Sequence, residues 1–330
     1  MLGACCPDGS EAAHTSCSST GADSGTVTDR VRGWTVGPDV LQRRRLDRAA
    51  ARETVRVVDL DRHLATLPPP TIVYTDLDGT LLGANGSILA DGDGRPTLDG
   101  VDALVRARRN GLLVVAVSGR RVADLRNDAR LLGLDGAIAE AGTVRLVDGA
   151  ARVSWGECPS DIASSPRAAL VEVGALALVL DSFPGRIRVY SPWDDGRLGG
   201  VLLHGLVDTE DANARLAAAG MGWARLLDNG ATGGWPDLDG VRAYHLIPRG
   251  VGKAAGVAAD LADRGIDPRG AVAVGDSEED LSIAEVVGTY VTVANGHGRV
   301  GGNRFVVEGS HGAGVALTID AALAARTRQA

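Results

Sequence analysis

Acidic residues follow two segments that have the composition of buried strands. Asp76 and Asp78 come directly after Thr71–Thr75, and Asp276 comes after Ala271–Val274. Because functional groups collect at the carboxyl ends of parallel strands, we expect these three carboxylates to converge. Carboxylates that share a site repel one another unless a cation lies among them, and their hard oxygen atoms suit Mg²⁺. The spacing therefore predicts a magnesium site.

A hydroxyl and an ammonium group complete the predicted site. Ser118 follows the apolar run Leu112–Val117, and Lys253 begins a segment with helical spacing. Lys253 is the only lysine among the 34 basic residues, which marks a position where a compact ammonium is needed instead of arginine's planar group. A magnesium site beside a lone lysine and a helix N-terminus indicates phosphate binding. The alternatives are that Ser118 is a turn hydroxyl and that Asp76 and Asp78 cap a helix and a turn.

Alternating strand and helix patterns position these residues from residue 71 onward. The predicted strands cover 71–75, 112–117, 137–139, 144–147, 152–155, 186–191, 200–206, 224–228, 241–247, 271–274 and 289–293, and the predicted helices cover 97–110, 122–132, 166–180, 209–219, 252–264, 278–286 and 313–326. This rhythm predicts an α/β fold with a Rossmann-like parallel sheet core and helices on both faces. The less regular residues 158–240 predict an inserted α+β cap domain, which leaves 67–157 and 241–330 as the core.

The first 66 residues differ in composition from the rest. Residues 1–29 are polar and lack an apolar period, whereas residues 40–66 show helical spacing before the prolines at 68–70. We expect residues 1–66 to form an N-terminal extension that is largely disordered, with one possible helix over 40–66.

The overall composition excludes several classes of protein. Hydrophobic residues make up 45% and charged residues 23% of the chain, as in soluble folded proteins. The net charge of −8 argues against nucleic-acid and anionic-membrane partners, and no apolar run reaches the roughly 18 residues of a membrane span. The four cysteines have neither metal-ligand nor disulfide spacing, and no secretory signal is evident, so we expect a cytoplasmic protein. The composition predicts no particular oligomeric state.

Four motifs in order resemble those of the haloacid dehalogenase superfamily. They are Asp76-Leu-Asp-Gly-Thr-Leu81, Ser118-Gly-Arg120, Pro248-Arg-Gly-Val-Gly-Lys253 and Gly275-Asp-Ser-Glu-Glu-Asp280. The insertion between the second and third motifs resembles the class-two cap, and the later motifs are similar to the Cof-type and sugar-phosphatase branch. That branch includes sucrose-phosphate and mannosyl-3-phosphoglycerate phosphatases. The resemblance covers roughly residues 71–330.

The resemblance implies a role for each motif residue. Asp76 would attack phosphorus as the nucleophile, and Asp78 would protonate the leaving oxygen and then activate water. Mg²⁺ would be bound by the Asp76 carboxylate, the Asp78 backbone carbonyl and Asp276. The remaining roles follow the same pattern: Ser118, Gly119 and Lys253 would bind the substrate phosphate, Thr80 would hold the turn, and Asp280 would position Lys253 or a metal-bound water.

Two departures from the branch and one group of cap residues bear on the substrate. Glu279 and Ala141 stand where the branch commonly has asparagine. The specificity residues we expect are Arg186, Arg188 and Tyr190, which alternate along one strand, and His245 just ahead of the third motif. The alternatives are a solvated cap edge for the first three residues and a core histidine for His245.

These patterns predict a Mg²⁺-dependent phosphatase that acts on a small phosphorylated metabolite, such as a sugar phosphate or a glycosyl-phosphoglycerate. A phosphosugar mutase of the same fold is the first alternative, because it would share Asp76 and Asp78. A non-catalytic protein that binds a phosphorylated ligand or a partner is the second. The complete set of acids together with Lys253 argues against the second alternative.

Overall fold

The computed structural model describes residues 57–147 and 149–329. Most of the predicted N-terminal extension, residues 1–56, therefore lies outside the described residues. The strands are β1 (Ile72–Thr75), β2 (Leu113–Val117), β3 (Gly136–Ala139), β4 (Val144–Val147), β5 (Ala150–Val153), β6 (Ile187–Val189), β7 (Val201–Gly205), β8 (Ala224–Ala231), β9 (Arg242–Pro248), β10 (Ala271–Gly275), β11 (Thr289–Thr292) and β12 (Arg304–Val306). The helices are α1 (Val57–Leu64), α2 (Asp99–Arg109), α3 (Val122–Leu132), α4 (Pro166–Glu172), α5 (Ala175–Ser182), α6 (Thr209–Ala218), α7 (Lys253–Arg264), α8 (Glu278–Leu281) and α9 (Gly312–Gln329).

The main sheet has eight strands in the order β12-β11-β10-β1-β2-β3-β4-β5. The strands from β12 to β3 run parallel, and β4 and β5 continue the sheet as an antiparallel hairpin. The chain leaves β1 toward β2 and later returns to β10 on the other side of β1. This arrangement confirms the predicted α/β fold. The order in which the chain adds strands reverses between β1 and β10, and such sheets bind ligands at the point of reversal.

Helices cover both faces of the main sheet, because its strands are apolar on both sides. One apolar cluster joins the sheet to α2, α3 and α9, and a second cluster on the other face joins it to α7. Tyr74 on β1 points into the second cluster, and its hydroxyl donates to Asp260 of α7 at 2.8 Å. The strand that carries the first acidic motif is thus fixed from both sides.

A second sheet, which we call the cap sheet, has four strands in the order β6-β7-β9-β8, and all neighbours are antiparallel. Helices α4, α5 and α6 cover one of its faces through an apolar cluster that includes Leu170, Val179 and Leu216. The predicted core range 241–330 includes β9, which pairs with β7 and β8 in the cap sheet. An apolar strand pattern does not reveal which sheet receives the strand.

Helix α1 lies before residue 67, where the predicted core starts, and packs against the main sheet. Helix α1 buries Leu60 and Leu64 in the same cluster as the main sheet, and each is 1% exposed. The imidazole of His63 lies 3.1 Å from the carbonyl of Gly288 and packs against the ring of Phe305. The part of the possible helix 40–66 that is described therefore belongs to the core, and its remaining residues lie outside the described range.

Other differences from the predicted elements have local causes. The helix predicted over 166–180 is divided into α4 and α5 at Gly174, whose φ of 91° ends one helix and starts the next. Strand β12 was not predicted, because it has only three residues and pairs along one edge. Within residues 57–147 and 149–329, no helix is long and apolar enough to cross a membrane.

Candidate active site

The first and fourth motifs lie side by side at the carboxyl end of the main sheet. Strand β1 pairs with β10 in parallel register, so Asp76 and Asp276 leave adjacent strands at the same edge. Ser118 leaves β2 on the other side of β1. The chain order of the sheet thus brings residues from three distant segments to the ends of three neighbouring strands.

Three carboxylates lie close together there, and two of them, Asp76 and Asp276, were expected from the sequence. Asp76, Asp276 and Asp280 each offer an oxygen within 4.8 Å of the others. The ammonium of Lys253 donates to Asp76 Oδ1 at 3.0 Å and to Asp280 Oδ1 at 2.6 Å. The cluster therefore combines three acids with one cation, and Asp280 supplies a third carboxylate in place of the Asp78 side chain.

Burial governs the electrostatics of the cluster. Asp76 is 6% exposed, and this burial raises its pKa well above the usual range. Lys253 opposes that rise, whereas Asp280 and Asp276 add to it. Burial also acts against the charge of Lys253, but the attraction of Asp280, Asp76 and Glu279 outweighs it and raises the pKa of the ammonium. Lys253 is thus held in its charged form.

The turn after β1 is fixed by Gly79 and Thr80. Gly79 has a φ of 88°, and a Cβ there would lie 2.8 Å from Asp276 Oδ2, so only glycine allows this approach. The hydroxyl of Thr80 donates to Asp276 Oδ1 at 2.8 Å. Asn295 donates to the carbonyl of Gly79 at 2.7 Å and accepts from the backbone N–H of His311. Thr80 therefore orients an acid of the cluster directly, which adds to the turn role predicted for it.

Asp280 is positioned by the start of helix α8. The backbone N–H of Asp280 donates to Ser277 Oγ at 3.2 Å and the backbone N–H of Ser277 donates to Asp280 Oδ2 at 3.1 Å, which forms a capping box. The hydroxyl of Ser277 also donates to Asp280 Oδ2. With Oδ1 bound to Lys253, both oxygens of Asp280 have partners. Glu279, the departure from the branch, is buried with its Oε2 3.9 Å from Lys253 Nζ. Burial raises the pKa of Glu279 to about 7.

Asp78 makes a contact that the sequence did not predict. Its two carboxylate oxygens accept from Arg120, the last residue of the second motif, at 2.7 and 2.6 Å. The third nitrogen of the same guanidinium donates to Asp128 on α3 at 2.8 Å. About half of the Asp78 side chain remains exposed, so this carboxylate can be reached from solvent.

Ser118 and Gly119 lie between the core and the cap sheet. Ser118 is buried, and its Oγ accepts from the backbone N–H of Arg120 at 3.2 Å. The backbone N–H of Gly119 donates to no other described residue. On the cap side, Nε2 of His245 lies 3.1 Å from the position of a Cβ on Gly119. His245 therefore lies beside Gly119.

The other predicted cap residues are bonded within the cap. Arg188 Nε donates to His204 Nε2 at 2.7 Å, and its guanidinium lies 4.2 Å from the ring centroid of Trp235. Tyr190 stacks on His204 at 4.1 Å, and Arg186 donates to the carbonyl of Leu206 at 3.1 Å. No described contact joins these three residues to the acidic cluster, which favours the alternative that they belong to the cap structure.

Two residues at the junction of core and cap were missed from the sequence. Glu140 is buried, and its carboxylate accepts from the backbone N–H groups of Leu198 and Gly199 at 2.9–3.3 Å. Arg197 donates to the carbonyl of Gly119 at 2.9 Å. The position of Glu140 directly after β3, next to Ala141, could have identified it from the sequence. Nothing in the sequence of residues 190–200 indicates the contact between Arg197 and Gly119.

The donor set fits a divalent cation. Burial raises the pKa of Asp276, and Asp280 raises it further, because the cluster holds more negative than positive charge. A cation among these oxygens would balance that charge, and carboxylates are the ligands that Mg²⁺ prefers. The cluster is therefore compatible with a metal, with Asp76 and Asp276 as the carboxylates least occupied by other partners.

Sequence comparisons find relatives for this chain. A family model described as haloacid dehalogenase-like hydrolase matches residues 240–318, which contain the third and fourth motifs. A curated protein named phosphoglycolate phosphatase from Methanopyrus kandleri is 27% identical over 228 residues, which cover 68% of this chain and 84% of the relative. Another of that name, from Methanoculleus marisnigri, is 28% identical over 229 residues, which cover 68% of this chain and 83% of the relative.

Solved structures share the fold. A Thermoplasma acidophilum protein matches with a TM-score of 0.57 at 15% identity, covering 77% of this chain and 99% of that one. The sucrose-phosphatase of Synechocystis, solved with sucrose and phosphate, matches with a TM-score of 0.56 at 15% identity, covering 77% and 98%. These likenesses concern the fold and cover about three quarters of this chain.

Proposed function

We propose that this chain, a haloacid dehalogenase-like hydrolase by its family match and fold, hydrolyses the phosphoric monoester of a small metabolite through an aspartyl-phosphate. One observation carries the proposal: Asp76 lies at the end of β1 with its carboxylate bound by Lys253 and flanked by Asp276 and Asp280. A carboxylate fixed beside a charged ammonium is suited to attack phosphorus while the ammonium holds the phosphoryl oxygens.

The first half of the reaction uses both aspartates of the first motif. Asp76 attacks phosphorus, the bond to the leaving oxygen breaks, and Asp78 supplies a proton to that oxygen. Ser118 and the N–H of Gly119 bind the phosphoryl oxygens together with Lys253, which balances charge in the transition state. Arg120 aims the Asp78 carboxylate through its two hydrogen bonds.

The second half releases phosphate. Asp78, now ionised, takes a proton from water, and the water oxygen attacks the phosphorus of the aspartyl-phosphate. The bond between phosphorus and the Asp76 oxygen then breaks, which regenerates the carboxylate. Asp76 is thus the nucleophile in the first step and the leaving group in the second, whereas Asp78 acts first as an acid and then as a base.

Mg²⁺ is the cofactor we propose, held by the carboxylates of Asp76 and Asp276 and by the backbone carbonyl of Asp78. When bound, it neutralises phosphoryl charge and orients the phosphate for in-line attack. Thr80 keeps the Asp276 carboxylate in place for this task through its bond to Oδ1. Asp280 acts through Lys253, whose ammonium it fixes at 2.6 Å.

The burial of the site supports a small substrate. Asp76, Ser118 and Lys253 are each at most 6% exposed, so a large phosphorylated macromolecule does not fit over them. Sugar phosphates and glycosyl-phosphoglycerates are the candidates that the sequence resemblance suggests. Phosphoglycolate joins them, because two curated relatives carry the name phosphoglycolate phosphatase. We further propose that the chain divides into a core and an inserted cap, with the cap sheet placed over the substrate.

Phosphate release from an aryl phosphate and from a panel of these metabolites tests the proposal. We expect turnover with Mg²⁺, loss of turnover in chelator, and loss in Asp76→Asn. A phosphosugar mutase would isomerise its substrate and release little phosphate. A non-catalytic binder would show neither reaction while still binding a phosphorylated ligand, and that result would overturn the proposal.

A further inference from the structure

Arg197 is a buried cation without an ion pair among the described residues. It lies in the loop between β6 and β7 and is 6% exposed. Its Nε donates to the carbonyl of Trp193 at 3.2 Å, and its Nη2 donates to the carbonyl of Gly119 at 2.9 Å. Its Nη1 is buried and has no hydrogen-bond partner in the described ranges. Burying an unpaired charge is costly, so this nitrogen is suited to receive an anion.

The nearest acids are already occupied by other donors. Asp194 accepts from Arg167 at 2.9 and 2.6 Å and from the backbone N–H of Leu202 at 2.6 Å. Glu140 accepts from the backbone of the residues that follow Arg197. Both acids attract the guanidinium from a distance, and burial nevertheless lowers the pKa of Arg197. Neither carboxylate is free to turn toward Nη1 without losing its own bonds.

His245 brings a second unpartnered polar atom to the same place. It lies on β9 with its side chain 1% exposed, and its buried Nε2 has no partner in the described part of the chain. Burial lowers the pKa of His245 well below its usual value, and the charges of Arg197 and Lys253 lower it further. The imidazole is therefore neutral and offers one N–H without adding positive charge.

Both groups meet at Gly119, which adjoins the phosphate-binding Ser118. His245 Nε2 and the amide of Asn229 lie 3.1 and 3.3 Å from the position of a Cβ on Gly119, so a larger residue there would press against both. Arg197 reaches the carbonyl of the same glycine. Polar groups from the β6–β7 loop, from β9 and from β8 thus surround Gly119, the residue next to the proposed phosphate site.

We propose that Arg197 Nη1 and His245 Nε2 form a subsite for a carboxylate on the leaving group, so that the substrates are phosphoric monoesters of small hydroxy acids. This inference rests on the proposed phosphatase function, because the subsite adjoins the proposed phosphate site. A carboxylate has two acceptor oxygens for the two free donors, and its single charge neutralises the single unpaired guanidinium. A sugar hydroxyl would leave Arg197 without a counter-charge.

Substrates that differ only in the carboxylate test the subsite. 2-Phosphoglycolate and ethyl phosphate have the same two-carbon skeleton, and their kcat/KM values with the full-length Mg²⁺-loaded protein give a preference ratio. We expect a ratio of at least about 10² in favour of phosphoglycolate, since a site with buried donors discriminates strongly against an analogue that leaves them unpaired. In Arg197→Gln the ratio should fall to within a few-fold of one, and in His245→Gln it should fall by about tenfold.

A matched control lies on the far side of the cap sheet. Arg215 on α6 is half exposed and pairs with Asp211, so Arg215→Gln should keep the wild-type ratio. Equal kcat/KM for the two substrates in the wild-type protein would overturn the subsite, since the carboxylate would then gain nothing from Arg197 and His245. A buried water would in that case be the partner of the two groups. A fall of both values together in Arg197→Gln, with the ratio kept, would show that Arg197 is only structural. Absence of phosphate release from every substrate, aryl phosphate included, would instead refute the proposed function.

Inhibition of the wild-type protein supplies a test that does not depend on a variant that folds. Glycolate and glycolamide should be compared as inhibitors of aryl phosphate hydrolysis. We expect glycolate to inhibit at a concentration at least about tenfold lower, because only glycolate carries the charge that Arg197 lacks. Equal inhibition by the two compounds would contradict the carboxylate subsite.

Discussion

Arg120 holds both carboxylate oxygens of Asp78, with Nε 2.7 Å from Oδ2 and Nη2 2.6 Å from Oδ1. The same guanidinium is fixed on its other side by Asp128, at 2.8 Å from Nη1. The proposed proton carrier is therefore aimed by an arginine that is itself anchored to helix α3. Because Arg120 directly follows Ser118 and Gly119, which we propose bind the phosphate, one motif would position both the phosphate and the proposed acid–base group.

Replacing Arg120 should slow turnover according to the leaving group. In Arg120→Met, Asp78 loses its orientation, so we expect kcat for an alkyl phosphate to fall by about 10–10², within the range of general acid–base catalysis. An activated aryl phosphate should be affected less, because it needs little protonation as the bond breaks. Asp128→Asn should give a smaller change in the same direction. Equal losses for both substrates would contradict a role through Asp78.

The aspartate pair should separate into two phenotypes. Asp76→Asn removes the nucleophile, so both phosphorylation and turnover should disappear. Asp78→Asn keeps the nucleophile and loses only the proton carrier, a loss of about 10²–10⁴-fold in rate. With an activated aryl or acyl phosphate, Asp78→Asn should accumulate a hydroxylamine-sensitive phosphoryl group on Asp76, which mass spectrometry detects. Turnover in Asp76→Asn, or a label on another residue, would refute the mechanism.

Exchange of the divalent cation should change activity sharply. Mg²⁺ takes oxygen ligands at about 2.0–2.1 Å in octahedral order, whereas Ca²⁺ is larger and accepts more ligands. We expect Ca²⁺ to draw both oxygens of Asp76 onto the metal and so to inhibit in-line attack. Phosphate release in Mg²⁺, in Ca²⁺ and in excess chelator measures this effect, and full turnover in chelator would exclude the metal assignment.

His245 should make folding stability depend on pH. The folded state lowers the pKa of this histidine, so below pH of about 6.5 the unfolded chain binds a proton that the folded chain does not. Its contribution is therefore complete above about pH 6.5 and is lost as pH falls, with a slope of up to about 1.4 kcal/mol per pH unit. Urea unfolding at pH 8 and pH 5.5 should show a smaller difference in His245→Gln than in wild type. His297→Gln, at an exposed histidine, is the matched control.

Helix α1 should contribute to the stability of the core. Leu64 is 1% exposed within the main apolar cluster, so Leu64→Ala should lower the free energy of unfolding by about 2–5 kcal/mol. Leu131 is 72% exposed, and Leu131→Ala should change that free energy by less than about 0.5 kcal/mol. Denaturant unfolding of both variants measures the difference. Equal stability of the two variants would show that α1 packs on the core without stabilising it.

The sequence predicted the positions of Asp76, Asp276 and Lys253 because local features determine them. Each lies at the end of an apolar run or at the start of a helical one, and parallel strands bring such ends together. The resemblance added the roles of Ser118 and Asp280. The structure places Asp280 in the cluster and Ser118 at the end of β2, the strand next to β1. These residues depend only on the topology of one sheet, which strand and helix patterns are sufficient to predict.

The residues that sequence analysis missed depend on how the two sheets meet. Arg197 contacts Gly119 while Glu140 anchors the β6–β7 loop, and these contacts join residues 58 or more positions apart in the chain. Arg188 and Tyr190 do share a face with one another, as predicted, but their partners come from β7 and from the β8–β9 connection. The alternation of a strand predicts which residues share a face and not what covers that face.

The two chain crossings between the sheets lie next to each other. The backbone N–H of Glu157 donates to the carbonyl of Arg249 at 2.8 Å, and a Cβ on Gly156 would collide with that carbonyl. The segment between Glu157 and Arg249 therefore begins and ends at neighbouring positions, and a backbone hydrogen bond joins its two ends. Replacing this segment with a short linker, or with an inserted domain of different shape, would leave the course of the remaining chain unchanged. We therefore expect that the selectivity proposed for the cap sheet can be changed without altering the main sheet.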